Sequence, residues 1–266
     1  MKAATAGQNR VTGRRGASAW RRGTRAVAAV RFAVVPVTAL ALVLLTADSR
    51  WLGSTGLSEA LRTRLAGQFL LTEAALLVVW APLVGVFAAM RRGRRLGGSV
   101  LAQTTLMTAS SAAIVLALQT TMEMRPVVWS HTILWAAAVS LAMLGAACAS
   151  MLREPLDAGA AAVGVALLGT SALFAAGPAL DLLPGPVLDA LLAVNPIATT
   201  AASADIDLWR MPLLYQLSPL AHRHVEFPAG GTALTAYLLI AGALLLLAVR
   251  QFTLQADNFS IERISS

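Results

Sequence analysis

Long apolar runs separated by short polar links extend through most of this chain. Crossing the hydrocarbon core of a bilayer as a helix takes about 20 predominantly apolar residues. Six segments meet that length: Ala26–Ala47, Phe69–Met90, Ser99–Leu118, Val127–Met151, Ala158–Gly177 and Thr232–Val249. The pattern predicts an all-α, polytopic membrane protein of six transmembrane helices. Arg31 lies close enough to the start of the first span to snorkel towards water. Pro36 and Pro82 fall inside spans, where neighbouring helices can satisfy the carbonyls they free. Ala138, Ala142, Gly145 and Ala149 form a ridge of small residues that permits close helix contact.

The longest stretch with polar character, Pro178–Gly231, separates the fifth span from the sixth. Val187, Leu188, Leu191 and Leu192 fall at helical spacing, and Asn195-Pro196 is expected to end that piece. A second helical run is expected over Ile197–Trp209, before Pro212. Both are too short to span, so residues 178–231 read as re-entrant or interfacial helices at one mouth of a membrane domain covering 26–266.

Composition supports this reading. Hydrophobic residues make up 57% of the 266 and charged ones 13%, about half the charged fraction of a soluble domain. Residues 1–25 carry seven basic and no acidic residues, and predict a disordered segment that passes into an interfacial helix from about Ser18. A basic stretch before an apolar run also marks a signal peptide. Leu45-Thr46-Ala47 lacks the small-x-small cleavage pattern, so an uncleaved first span is expected.

Charge then orients the chain. With the amino terminus inside, fifteen of the 21 Lys and Arg residues fall on inner segments and six on outer ones. That asymmetry places both termini in the cytoplasm and the 178–231 element outside, in a plasma (inner) membrane. The net charge of +8 is crowded at the amino terminus and one short loop, where it meets anionic lipid; no nucleic-acid partner is expected.

Lys2 is the only lysine. A phosphate-binding Walker A loop needs a lysine after its glycines, so no ATPase of that class is encoded here. No Ser/His/Asp set, paired aspartates or His-Glu-x-x-His motif lies in the spans, and no enzyme activity is expected. Cys148 has no partner for a disulfide or a cysteine metal cluster. No cofactor and no resident metal are expected.

Asn195 to Pro228, NPIATTAASADIDLWRMPLLYQLSPLAHRHVEFP, resembles the membrane subunits of type-2 ATP-binding-cassette exporters. There an Asn-Pro, a short outer helix, a Leu-Tyr and a Ser-Pro-Leu often precede the last span. Leu144 to Leu168 resembles their fourth span, a charged inner turn and the start of the fifth span. The resemblance implies a permease subunit that frames a path with a second permease subunit and is energised by a separate nucleotide-binding ATPase. It also implies an outer-gate element at Asn195, Pro196, Tyr215, Ser218 and Pro219. Family members usually carry a long docking segment between spans two and three. Here that place holds only Arg91 to Gly98, which favours the alternative of a non-transporting subunit that anchors or assembles a larger complex.

Glu73 is the only acidic residue within an expected span. Ionisable groups in a membrane are expensive to bury and mark function. Glu73 reads either as an interfacial carboxylate near Gln68 and Thr72, solvated or hydrogen-bonded, or as a group handling substrate or protons. Met122, Met124 and His131 offer soft ligands for copper(I), or packing and interface anchors beside Trp129 and Trp135. His222, His224 and Glu226 could bind metal or sense pH, or form a polar rim. Arg91, Arg92, Arg94 and Arg95 mark an inner turn that faces lipid headgroups or a cytoplasmic partner, and Arg153, Glu154 and Asp157 mark a second inner turn, either a partner contact or a simple solvated turn.

Overall fold

Inside a bilayer no water is present to serve the backbone, so apolar runs of this length close their own hydrogen bonds as helices. The computed structural model describes residues 59–90, 96–118, 124–152, 154–175, 180, 182–204, 206, 208 and 229–265. Among them every long regular element is an α-helix. In chain order these are α1 (Glu59–Met90), α2 (Leu96–Leu118), α3 (Met124–Met151), α4 (Pro155–Ala175), α5 (Gly185–Ala193), α6 (Pro196–Ser203) and α7 (Gly230–Ser265). Five are long and apolar enough to cross a membrane, over Leu65–Met90, Leu96–Leu116, Pro126–Met151, Pro155–Phe174 and Gly230–Leu254. The segment Ala26–Ala47 lies outside the described residues, as do the basic residues of 1–25.

Every membrane-length helix starts ahead of its expected span, and two exceed their bounds by several turns. α1 begins at Glu59, ahead of Phe69, and α7 continues to Ser265, past Val249. A helix can leave the hydrocarbon without ending, and hydropathy registers only its apolar length.

α3 is the centre of the bundle. Two thirds of its span (67%) is buried inside the protein, against 22% for α7, and it touches α1, α2, α4, α6 and α7. Shared clusters fix the directions. Phe69, Val115 and Val127 meet at one end, and Ala88, Val100, Met143 and Ala241 meet towards the other. Helices α1, α3 and α7 therefore run parallel, with α2 antiparallel to them.

The α1–α3 contact is a backbone contact. A Cβ at Gly85 would overlap the Ala142 carbonyl, and one at Gly145 would overlap the Pro82 carbonyl. Ala138 and Ala142, from the expected small-residue ridge, are buried completely at this seam. In lipid such fit replaces the hydrophobic effect as the source of helix association, because tails and side chains are equally apolar. On the other side, Ile133, Ala136 and Ala137 of α3 pack against Ala233 and Tyr237 of α7.

Between α4 and α7 the chain folds α5 and α6. Leu188 and Leu192 of α5 bury against Leu173, Leu180 and Ala198. Asn195 does not merely end this piece. Its side-chain oxygen accepts from the Ile197 and Ala198 N–H groups at 3.1 Å each, so it caps α6, and Pro196 starts the new helix. Its amide nitrogen donates to the Thr170 carbonyl of α4 at 2.8 Å. α6 then lies against α1, α3 and α7, with Pro196, Ala198, Thr199, Thr200 and Ala201 buried. It ends at Ser203, short of the expected Trp209; Trp209 and residues 210–228 lie outside the described residues.

Candidate functional site

A polar seam runs down α2. Thr104, Thr108 and Ser111 stand at i, i+4 and i+7, one face of a helix, and all three are buried. The first two turn their hydroxyls onto their own helix, Thr104 to Val100 O and Thr108 to Thr104 O, both at 3.0 Å. Ser111 has no such partner. It borders the carboxyl group of Glu73 on α1.

Glu73 is 0% exposed. This overturns the picture of a solvated interfacial carboxylate. The helix starts at Glu59 and so carries Glu73 well inside the protein, at the level of Ser111 and of His131 on α3. Thr72 does not serve it, because its hydroxyl donates to Gln68 O at 2.7 Å.

His131 Nε2 stands 3.8 Å from Glu73 Oε2, too far for a hydrogen bond. The other ring nitrogen, Nδ1, lies 2.7 Å from the Val127 carbonyl. A carbonyl only accepts, so Nδ1 carries the hydrogen. That leaves Nε2 facing the carboxyl group. Both Glu73 oxygens, His131 Nε2 and Ser111 Oγ are buried without hydrogen-bond partners. Unpaired buried polar atoms are rare in native proteins and ask for a reason. Four of them, from three helices, converge on one point.

A second polar locus sits where α6 meets α7. The Thr199 and Tyr237 hydroxyls are 3.2 Å apart, while Thr200 Oγ1 is buried without a partner. Beside it a cleft of about 310 Å³ is bordered by Trp129, Thr199, Ser203 and Gly230. Gly230 leaves room for the indole: an added Cβ would lie 2.5 Å from Trp129 Nε1.

The other sequence candidates are not gathered here. Asn195 and Pro196 are buried at the α5–α6 junction, while Tyr215, Ser218 and Pro219 lie outside the described residues. So do Arg91, Arg92, Arg94, Arg95, Arg153, Met122, His222, His224 and Glu226. Glu154 is exposed just ahead of α4, its carbonyl accepting from Ala158 N at 3.0 Å. Among the described residues no group of three or more His, Cys, Asp or Glu could hold a metal ion. Sequence reasoning passed over Ser111, Thr200 and Tyr237. The Thr104, Thr108, Ser111 spacing was the one visible signal, a polar stripe on an otherwise apolar helix. Comparison of the chain with protein-family models, with curated proteins and with solved structures finds no match in any of the three.

Proposed function

We propose that this chain is the transmembrane permease subunit of a type-2 ATP-binding-cassette exporter, driven by ATP hydrolysis on a separate nucleotide-binding subunit and paired with a second permease subunit. The observation that carries the proposal is the Asn195-Pro196 junction. The residues that bear the family resemblance begin a buried helix between the last two membrane-length helices. That helix is capped by Asn195 and tied by the same side chain to α4. A mouth held this firmly suits a gate that must reset after each cycle. In this reading the chain spans a plasma (inner) membrane six times, with Ala26–Ala47 as the first span and both termini cytoplasmic. Residues 178–231 form the outer element, and basic inner turns rest on anionic lipid. The cargo is amphipathic or lipid-like.

Purification from the native membrane in mild detergent tests this. The expected complex contains a nucleotide-binding subunit and hydrolyses ATP, whereas the isolated chain hydrolyses none. An intact complex without such a subunit overturns the exporter.

One observation favours a second reading, a non-transporting anchor or assembly subunit. α1 ends at Met90 and α2 begins at Leu96, so the chain between them is too short to hold a docking helix. Under that reading the same purification yields a stable complex whose partners bind no nucleotide.

A further inference from the structure

The Glu73–His131 contact can be decided by counting protons. Glu73 is the only charged residue from Leu65 to Met90, and His131 is the only titratable one besides Cys148 from Pro126 to Met151. α2 and α6, the other elements packed against α1 and α3, contain no charged residue at all. α4 carries Asp157 in its first turn, exposed at the opposite end of the bundle. α7 contributes Tyr237, whose hydroxyl meets Thr199, and an exposed Arg250 towards its far end. Among the residues whose side chains are described, no counter-charge reaches the pair.

Three occupancies are then possible. With no proton between them, a carboxylate faces the bare lone pair of Nε2, and one negative charge stands unbalanced in an apolar bundle. With two, an imidazolium faces a carboxylic acid, and one positive charge is unbalanced. Either state carries the penalty of an isolated buried charge. With one proton the pair is neutral as a whole. The proton then lies on the carboxyl group and points at Nε2, or lies on Nε2 and points at the carboxylate. Moving it between the two breaks one O–H bond, forms one N–H bond, and leaves the total charge unchanged.

We infer that Glu73 and His131 form a proton-binding site that holds a single proton between helices α1 and α3, with the Ser111 hydroxyl of α2 as its third wall. Val127 keeps the site in register, because its carbonyl holds the hydrogen on Nδ1 and turns Nε2 to the carboxyl group. The separation of 3.8 Å is a loaded site slightly open; a closure of about 1 Å makes the hydrogen bond. Among the described residues two such donors fall short of the three or four protein ligands of a zinc-type centre, and the neutrality of the one-proton state makes the proton the ligand. The inference stands independently of ATP-driven export, and an exporter and an anchor could equally contain it.

Nitrogen NMR of the full chain in lipid nanodiscs of phosphatidylcholine and phosphatidylglycerol tests it. The chain has three histidines, so ring-labelled protein carrying His222→Gln and His224→Gln shows His131 alone. At neutral pH the Nε2 resonance is expected well away from the position of an unbonded imidazole nitrogen. The displacement should vanish in Glu73→Leu and persist in part in Glu73→Gln, whose amide still donates to Nε2. An Nε2 resonance at the unbonded position in the otherwise native chain overturns the site, and so does a displacement that survives Glu73→Leu. If Glu73→Leu does not insert, the native-chain spectrum and Glu73→Gln decide alone. A displacement unmoved by the amide also excludes Glu73 as the partner.

Discussion

Gly85 and Gly145 are fixed by contact with the opposing backbone rather than by any turn. Each faces a carbonyl of the other helix closely enough that a single methyl group would overlap it. Gly85→Val should therefore destabilise the folded protein by about 3 kcal/mol or more, the upper range for overpacking. A sharp drop in the midpoint of thermal unfolding in detergent would report it. Gly164 provides the control, since nothing lies within 4 Å of an added Cβ there, and Gly164→Ala should leave the midpoint unchanged. At Tyr237 the effect is smaller. Tyr237→Phe removes one hydroxyl contact with Thr199, and interhelical hydrogen bonds in membranes average about 0.6 kcal/mol. Unfolding in mixed micelles should show a shift of that size and no more.

Among the elements, the membrane-length helices were legible because lipid imposes one simple demand, an apolar run of sufficient length. Their ends were not, because α1 and α7 continue the helical hydrogen-bond ladder past the apolar run, where hydropathy carries no signal. α6 shows another limit. Asn195-Pro196 reads as a stop, yet Asn also ranks among the strongest helix N-caps, and here the same two residues begin a helix. The Glu73 partner was illegible for a different reason. His131 lies on another helix, and only the parallel packing of α1 and α3 brings it level with Glu73. The cap gives the element-scale prediction. Asn195→Ala removes a cap and a tie to α4, each about 1 kcal/mol, so a loss near 2 kcal/mol is expected. Hydrogen exchange should increase across α6 well before α3 responds. Exchange that rises equally in both would show α6 to be no separate unit.

Over the whole molecule, sidedness is the property to test. A reporter fused after Ser266 should read cytoplasmic, and one inserted near Gly230 should read external, if the basic residues orient the chain as their distribution predicts. A cytoplasmic reading at Gly230 would remove the six-span count and, with it, the outer position of α5 and α6. Replacing Arg92 and Arg94 with Gln should leave insertion and partner co-purification intact, because Arg91 and Arg95 still mark the turn. Loss of a nucleotide-binding subunit from that variant would show the short turn to be a docking contact and would strengthen the exporter reading.

The glycine crossing also defines a pivot. Where two backbones touch, they can tilt about the contact but cannot approach further. Glu73 stands about 18 Å along α1 from Gly85 at 1.5 Å per residue, so it sits near the end of a lever arm. A tilt of about 5° there displaces it by roughly 1.5 Å. That is comparable with the gap separating Glu73 from His131, so a motion too small to disturb the seam would make or break their contact.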